Sequence, residues 1–111
     1  MNLRNNVQLI GHLGKDPEVK EVNKTKVANI TVAVNEYYKT KDSDEFTEKT
    51  MWFNVVAWGG NAEKIEKKCI KGTEVVISGK LENRTYEGKD GVKRFITEVK
   101  VNEIICRPKA A

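Results

Sequence analysis

Trp52 and Trp58 lie six residues apart in TMWFNVVAWG (50–59), a stretch without charge in a chain that is 32% Asp, Glu, Lys and Arg. A run of Trp, Phe, Val and Ala reads as a largely covered β-strand. Side chains alternate along a strand, so Trp52, Asn54, Val56 and Trp58 share one face and Met51, Phe53, Val55 and Ala57 the other. The Met51 face is the more continuous apolar one and is the expected core side. The other face sets two flat rings ~20 Å apart around a polar Asn54. Rings held on a sheet surface can stack on unpaired nucleobases, at ~1–3 kcal/mol per base and without choosing among them. Tryptophan is also well buried on average. The strand pattern alone therefore leaves open whether the two rings form a platform or belong to the core.

A platform for a polyanion also needs cations. Lys and Arg outnumber Asp and Glu by 20 to 16, a net charge of +4, and the surplus follows Met51, where 12 basic residues meet 8 acidic ones. Thr73 to Tyr86 reads as a long strand with Val75, Ile77, Gly79 and Leu81 inward and Lys80, Glu82, Arg84 and Tyr86 outward, so basic and aromatic side chains share a face. After the turn EGKDG, Val92 to Ile105 returns as the last strand. Lys80, Arg84, Lys93 and Arg94 are the candidate phosphate contacts, with Lys39 and Lys41 secondary. Any one of these lysines taken alone is better explained as ordinary soluble surface. Tyr37 and Tyr38 precede the polar run KTKDSDEFTEK; one of the two should face the sheet surface, or both pack beneath that run.

Other chemistries find little support. His12 is the only histidine and has no companion Cys or carboxylate cluster in its strand, so a metal site or a catalytic triad is not indicated. Gly59-Gly60 lacks the glycine spacing and the Lys-Ser/Thr ending of a phosphate-binding loop. Cys69 and Cys106 are too few and too far apart in sequence for a disulfide framework or a CxxC metal site. Free thiols fit a reducing compartment. No basic leader followed by an apolar run is present, and no apolar stretch approaches the ~20 residues that span a bilayer. The expectation is a cytoplasmic, nucleoid-associated protein that is not an enzyme, needs no cofactor and has no membrane partner.

The elements that must position these residues follow in order. NVQLIGHL (6–13) is a strand broken by Gly11, which suggests a bend or bulge of the kind that closes small barrels. GKDPEV turns the chain, and Val19 to Val22 is a brief extended piece before the turn Asn23-Lys24-Thr25. KVANITVAVN (26–35) alternates as a half-buried strand, with Ala28, Ile30, Val32 and Val34 on one face. A long loop after Glu36 leads to the central strand at Thr50. Asn61 is the expected cap of a helix over AEKIEKKCIK, with Ala62, Ile65 and Cys69 as its apolar stripe and Gly72 as its stop. At 111 residues this makes one domain, 1–105, with a short C-terminal stub, 106–111. Three strands, a helix and two strands give an all-β fold with one helix: a five-stranded barrel of the oligonucleotide/oligosaccharide-binding (OB) type, the helix between strands three and four.

GHLGKDPEV, VANITVAVNE, TMWFNVVAWG, KGTEVVISGKLENRTYEGKDG and TEVKVNEI, in this order and spacing, resemble the bacterial single-stranded DNA-binding proteins from about Asn6 to Ile104. The resemblance implies non-specific binding of single-stranded DNA in replication, recombination and repair. It places the family's base-stacking aromatics on Tyr38, Trp52, Trp58 and Tyr86, which tips the two tryptophans toward the platform. It also implies assembly, with first strands (Asn6 to Leu13) pairing across a dimer and dimers joining into a homotetramer that DNA wraps.

Three departures matter. Tyrosine stands at two positions where well-studied relatives carry tryptophan, which keeps stacking with less ring area. Phe53 replaces a histidine that in those relatives lies at a subunit contact. Relatives usually continue into a disordered linker and an acidic tip that recruits replication and repair enzymes, whereas this sequence stops at CRPKAA, and no such recruitment is expected of the stretch in hand. Its shortness favours an alternative, a dimeric adaptor resembling primosomal replication protein N. The four aromatic positions favour DNA binding.

Overall fold

The computed structural model of the chain describes residues 3–42 and 44–107. These form β1 (Val7–Leu13), β2 (Glu18–Val22), β3 (Thr25–Lys39), β4 (Phe46–Trp58), α1 (Gly60–Lys68), β5 (Glu74–Glu87) and β6 (Lys93–Arg107). The sheet closes on itself: β1 pairs with β5, β5 with β6, β6 with β4, β4 with β3, and β3 returns to β1 at His12–Ala33 and Leu13–Val32. The result is a mostly β fold with a closed five-strand barrel of OB-like form and, among the described residues, one helix.

The helix lies between β4 and β5, which corrects the expected position between strands three and four. The difference comes from Glu18–Val22. Asn23 and Lys24 take positive φ (50° and 66°) in a two-residue turn, and Val22 is thereby placed opposite Thr25. The brief extended piece is thus a paired strand on the edge of β3, and it raises the count without altering the barrel.

Alternation builds the core. Ala28, Ile30 and Val32 of β3, Val55 and Ala57 of β4, and Val75 and Ile77 of β5 are all buried, joined by Ala62 and Ile65 of α1. Each fully buried Val or Ile contributes roughly 1.5–3 kcal/mol. On β6 the register slips: Gly79 faces Val101 while Ser78 faces Glu103, so Asn102 is an extra residue and both Val101 and Ile104 point inward. Gly11 serves barrel closure, as expected, but without a bulge. The register of β1 on β5 is unbroken there, but a Cβ would run into the carbonyl oxygen of Ala33. Glycine lets β1 press against β3 where the barrel closes.

Further expectations change. Asn61 sits inside the helix; the N-cap is Gly59, at φ 62°, with no side-chain cap. The Asn61 amide instead donates to the Asn102 carbonyl at 3.2 Å. The helix also ends at Lys68, and Gly72 (φ 90°) lies in the turn that follows. The polar run after Glu36 is mostly strand, because β3–β4 pairing continues unbroken to Lys39–Phe46. Both faces of that arm meet water, so polar side chains cost nothing there, and Thr50 donates across it to Asn35 at 2.9 Å. The last strand runs through Arg107; residues 108–111 of the expected stub lie outside the described residues. No described helix is long and apolar enough to cross a membrane.

Candidate nucleic-acid interface

Cross-strand neighbours share a face, so the register assembles the site. On the outer side of β4, Trp58, Val56, Asn54 and Trp52 stand opposite Val27, Asn29, Thr31 and Ala33 of β3. The parallel pair Val56–Lys100 carries this surface onto β6. Lys80–Lys100, Glu82–Glu98, Arg84–Ile96 and Tyr86–Arg94 carry it onto β5. Trp52, Trp58, Tyr86, Lys80, Arg84 and Arg94 therefore lie on one four-strand surface. A shallow groove crosses it between Trp58, Asn29, Val56, Arg84 and Glu98.

The tryptophans do not belong to the core: Trp52 is 60% and Trp58 44% exposed, beside Tyr86 at 43% and Tyr38 at 48%. Their strand-mates Val55 and Ala57, on the other parity, are sealed inside. The Trp52 ring lies over Gly14, where any Cβ would enter the indole. Gly14 donates its N–H to the Thr31 carbonyl at 2.9 Å, which fixes the backbone beneath the ring. Gly14 is thus a support for the aromatic surface that the sequence marks only as a turn residue.

Two of the candidate residues fall elsewhere. Tyr38 stands opposite Thr47 and Lys93 opposite Glu87, positions on the reverse faces of the two hairpin arms. Tyr37 and Phe46, 65% and 71% exposed, occupy the Trp52 face of the β3–β4 arm instead, with Lys39 beside Phe46. Lys41 lies in the connection beyond β3. Leu81, expected inward, is exposed because the β5–β6 hairpin outruns the barrel.

Carboxylates temper the positive charge. Arg84 Nε lies 3.3 Å from Glu98 Oε1, whose side chain is only 11% exposed. Lys80 pairs with Glu82 at 3.4 Å and Arg94 with Asp90 at 2.7 Å. The Val92 N–H donates to Asp90 at 3.1 Å, and this bond, with the Arg94 guanidinium second, holds the Asp90 carboxyl below its ordinary pKa. Lys100 has no such ion pair among the described residues; its place opposite Lys80 is visible only from the register. Planar rings set among cations can hold flat π-systems strung on an anionic chain.

No group of three or more His, Cys, Asp or Glu among the described residues is placed to hold a metal ion. His12 is a surface residue, 3.8 Å from Glu74.

The family described as "Single-strand binding protein family" matches residues 4–106. "Single-stranded DNA-binding protein 1" of Xylella fastidiosa (strain 9a5c) is 37% identical over 101 residues, covering 90% of this chain and 74% of that protein. Among solved structures, the "Plasmodium falciparum SSB complex with ssDNA" superposes with a TM-score of 0.82 at 30% identity, covering 96% of this chain and 98% of that one.

Proposed function

The chain belongs to the single-strand binding protein family, and from that premise we propose that it binds single-stranded DNA with little sequence preference, protecting unpaired strands during replication, recombination and repair. The observation that carries this reading is the pair Trp52 and Trp58, exposed on one sheet face with Arg84 and Tyr86 alongside. Unpaired DNA offers base faces that a duplex hides in its own stack. A protein that binds those faces holds the melted state by mass action and needs no nucleotide hydrolysis. Trp52, Trp58 and Tyr86 supply stacking, while Lys80, Arg84 and Arg94 contact phosphates. Tyr38 and Lys93 act from the reverse faces of the two arms, reached by a strand that wraps the arm edges. The protein works in the cytoplasm, on the nucleoid, without catalysis.

Self-association completes the proposal. Along Val7–Gly11, β1 has a strand on one side only, β5, since β3 joins it at His12 and Leu13. A half-open edge of this kind invites pairing with its copy. Ile10, Val76 and Ile105 stand directly opposite one another across β1, β5 and β6, with Ile10 and Ile105 62% and 52% exposed. This apolar row suits packing of one dimer on another into a tetramer.

Titration with oligo-dT tests the DNA reading. Most of the tryptophan fluorescence is expected to be quenched, and much less by a duplex of equal length. Affinity should fall with salt at a slope near −0.7 per phosphate neutralised. Equal quenching by both nucleic acids would reduce the protein to a generic polyanion binder.

A further inference from the structure

Three contacts descend between α1 and the end of β6. The Asn61 amide donates to the Asn102 carbonyl at 3.2 Å, the Lys64 ammonium donates to the Ile104 carbonyl at 2.5 Å, and the Cys69 and Cys106 sulfurs lie 2.8 Å apart. Alternate residues of the strand thus meet α1 and its C-cap, and the two thiols form the last rung. They are 37 positions apart in sequence and are not joined by a disulfide. Cys69 is buried at the C-cap of α1, and Cys106 is half-buried at the end of β6. We propose that Cys69 and Cys106 are a paired redox site, closed into an intramolecular disulfide by small disulfides of the glutathione class, which staples the end of β6 to α1. The site is independent of the DNA-binding reading.

The accessible thiol reacts first. Cys106 thiolate attacks one sulfur of the small disulfide, which forms a mixed disulfide and expels one thiolate. Cys69 thiolate then attacks Cys106 Sγ, closing the protein disulfide and expelling the second. The two protein thiol protons are taken up by the two departing thiolates, and the two electrons reduce the small disulfide. Burial, together with the hydrogen bond to Cys106, pushes the Cys69 thiol up to about 12, which makes it a poor first attacker and leaves entry to Cys106.

The test incubates the folded protein with oxidised glutathione, blocks remaining thiols by alkylation, and reads intact mass and peptide map. The expected product has lost two hydrogen atoms, carries no glutathione, and yields a linked Cys69–Cys106 peptide that dithiothreitol separates. Its thermal midpoint should rise by about 10 °C, since the bridge closes a long loop in the unfolded chain. C69S should instead retain glutathione on Cys106, the trapped intermediate. Wild-type protein that stays reduced, accumulates glutathione on Cys106, or links into disulfide dimers would overturn the proposal.

Discussion

The barrel exposes apolar groups on two faces, and they differ in kind. On the β4–β6–β5 face, separate flat rings alternate with Arg84, Lys80, Glu82 and Glu98. Across β1, β5 and β6, the aliphatic residues Ile10, Val76 and Ile105 stand in a row beside Gln8, Ser78 and Glu103. Contiguous aliphatic surface is best satisfied by another such surface. Isolated rings among cations are satisfied by something that is itself flat and anionic. The two faces should therefore fail independently when mutated.

The largest separation is expected from Trp52→Ala with Trp58→Ala. Loss of two stacked bases should weaken oligo-dT binding by about 2–6 kcal/mol, read by anisotropy of a labelled oligonucleotide at several salt concentrations. Circular dichroism and molar mass should stay as in the wild type. Ile10→Asp with Ile105→Asp should do the converse: unpaired carboxylates at a contact between copies cost several kcal/mol, so light scattering should show smaller assemblies. Dimers that still quench with oligo-dT would sharpen the comparison, whereas unchanged molar mass would remove the aliphatic row from assembly.

Smaller effects test the support beneath the rings. Gly14→Ala should displace the Trp52 indole and cost up to one stacked base, about 1–3 kcal/mol, with a lesser change in thermal midpoint. Full affinity in that variant would mean that the ring does not need its seat. Smallest is Glu98→Gln. It leaves an acceptor for Arg84 but removes the negative charge, so oligo-dT should bind tighter by about 0.5–1 kcal/mol at low salt, an advantage that fades as salt rises. Weaker binding would show that Glu98 acts mainly by orienting Arg84.

Much of the site was legible before folding, because strand alternation is a property of the local backbone. Trp52 and Trp58 fall opposite to Val55 and Ala57 by counting in twos. Ala62 and Ile65 follow from the helical period in the same way, while Cys69, read as part of that stripe, is buried from the extended C-cap. What counting does not reach is the relation between strands. Tyr37 shares a face with Trp52, and Tyr38 does not, only because Ala33 pairs with Trp52 and no bulge intervenes along the arm.

The sequence by itself thus determined which side of each strand turns inward, where the apolar stripe of the helix lies, and which segments together resemble a known family. Tertiary structure alone decided that Gly11 serves closure by close approach to Ala33 and not by a bulge, that Gly14 seats an indole, that Asn61 reaches β6 and not the helix end, and that Cys69 meets Cys106. The reason is physical. Periodicity is set by bond geometry within a few residues, whereas register and closure depend on long-range pairing, whose energy is spread over the whole sheet and leaves no mark on any one segment.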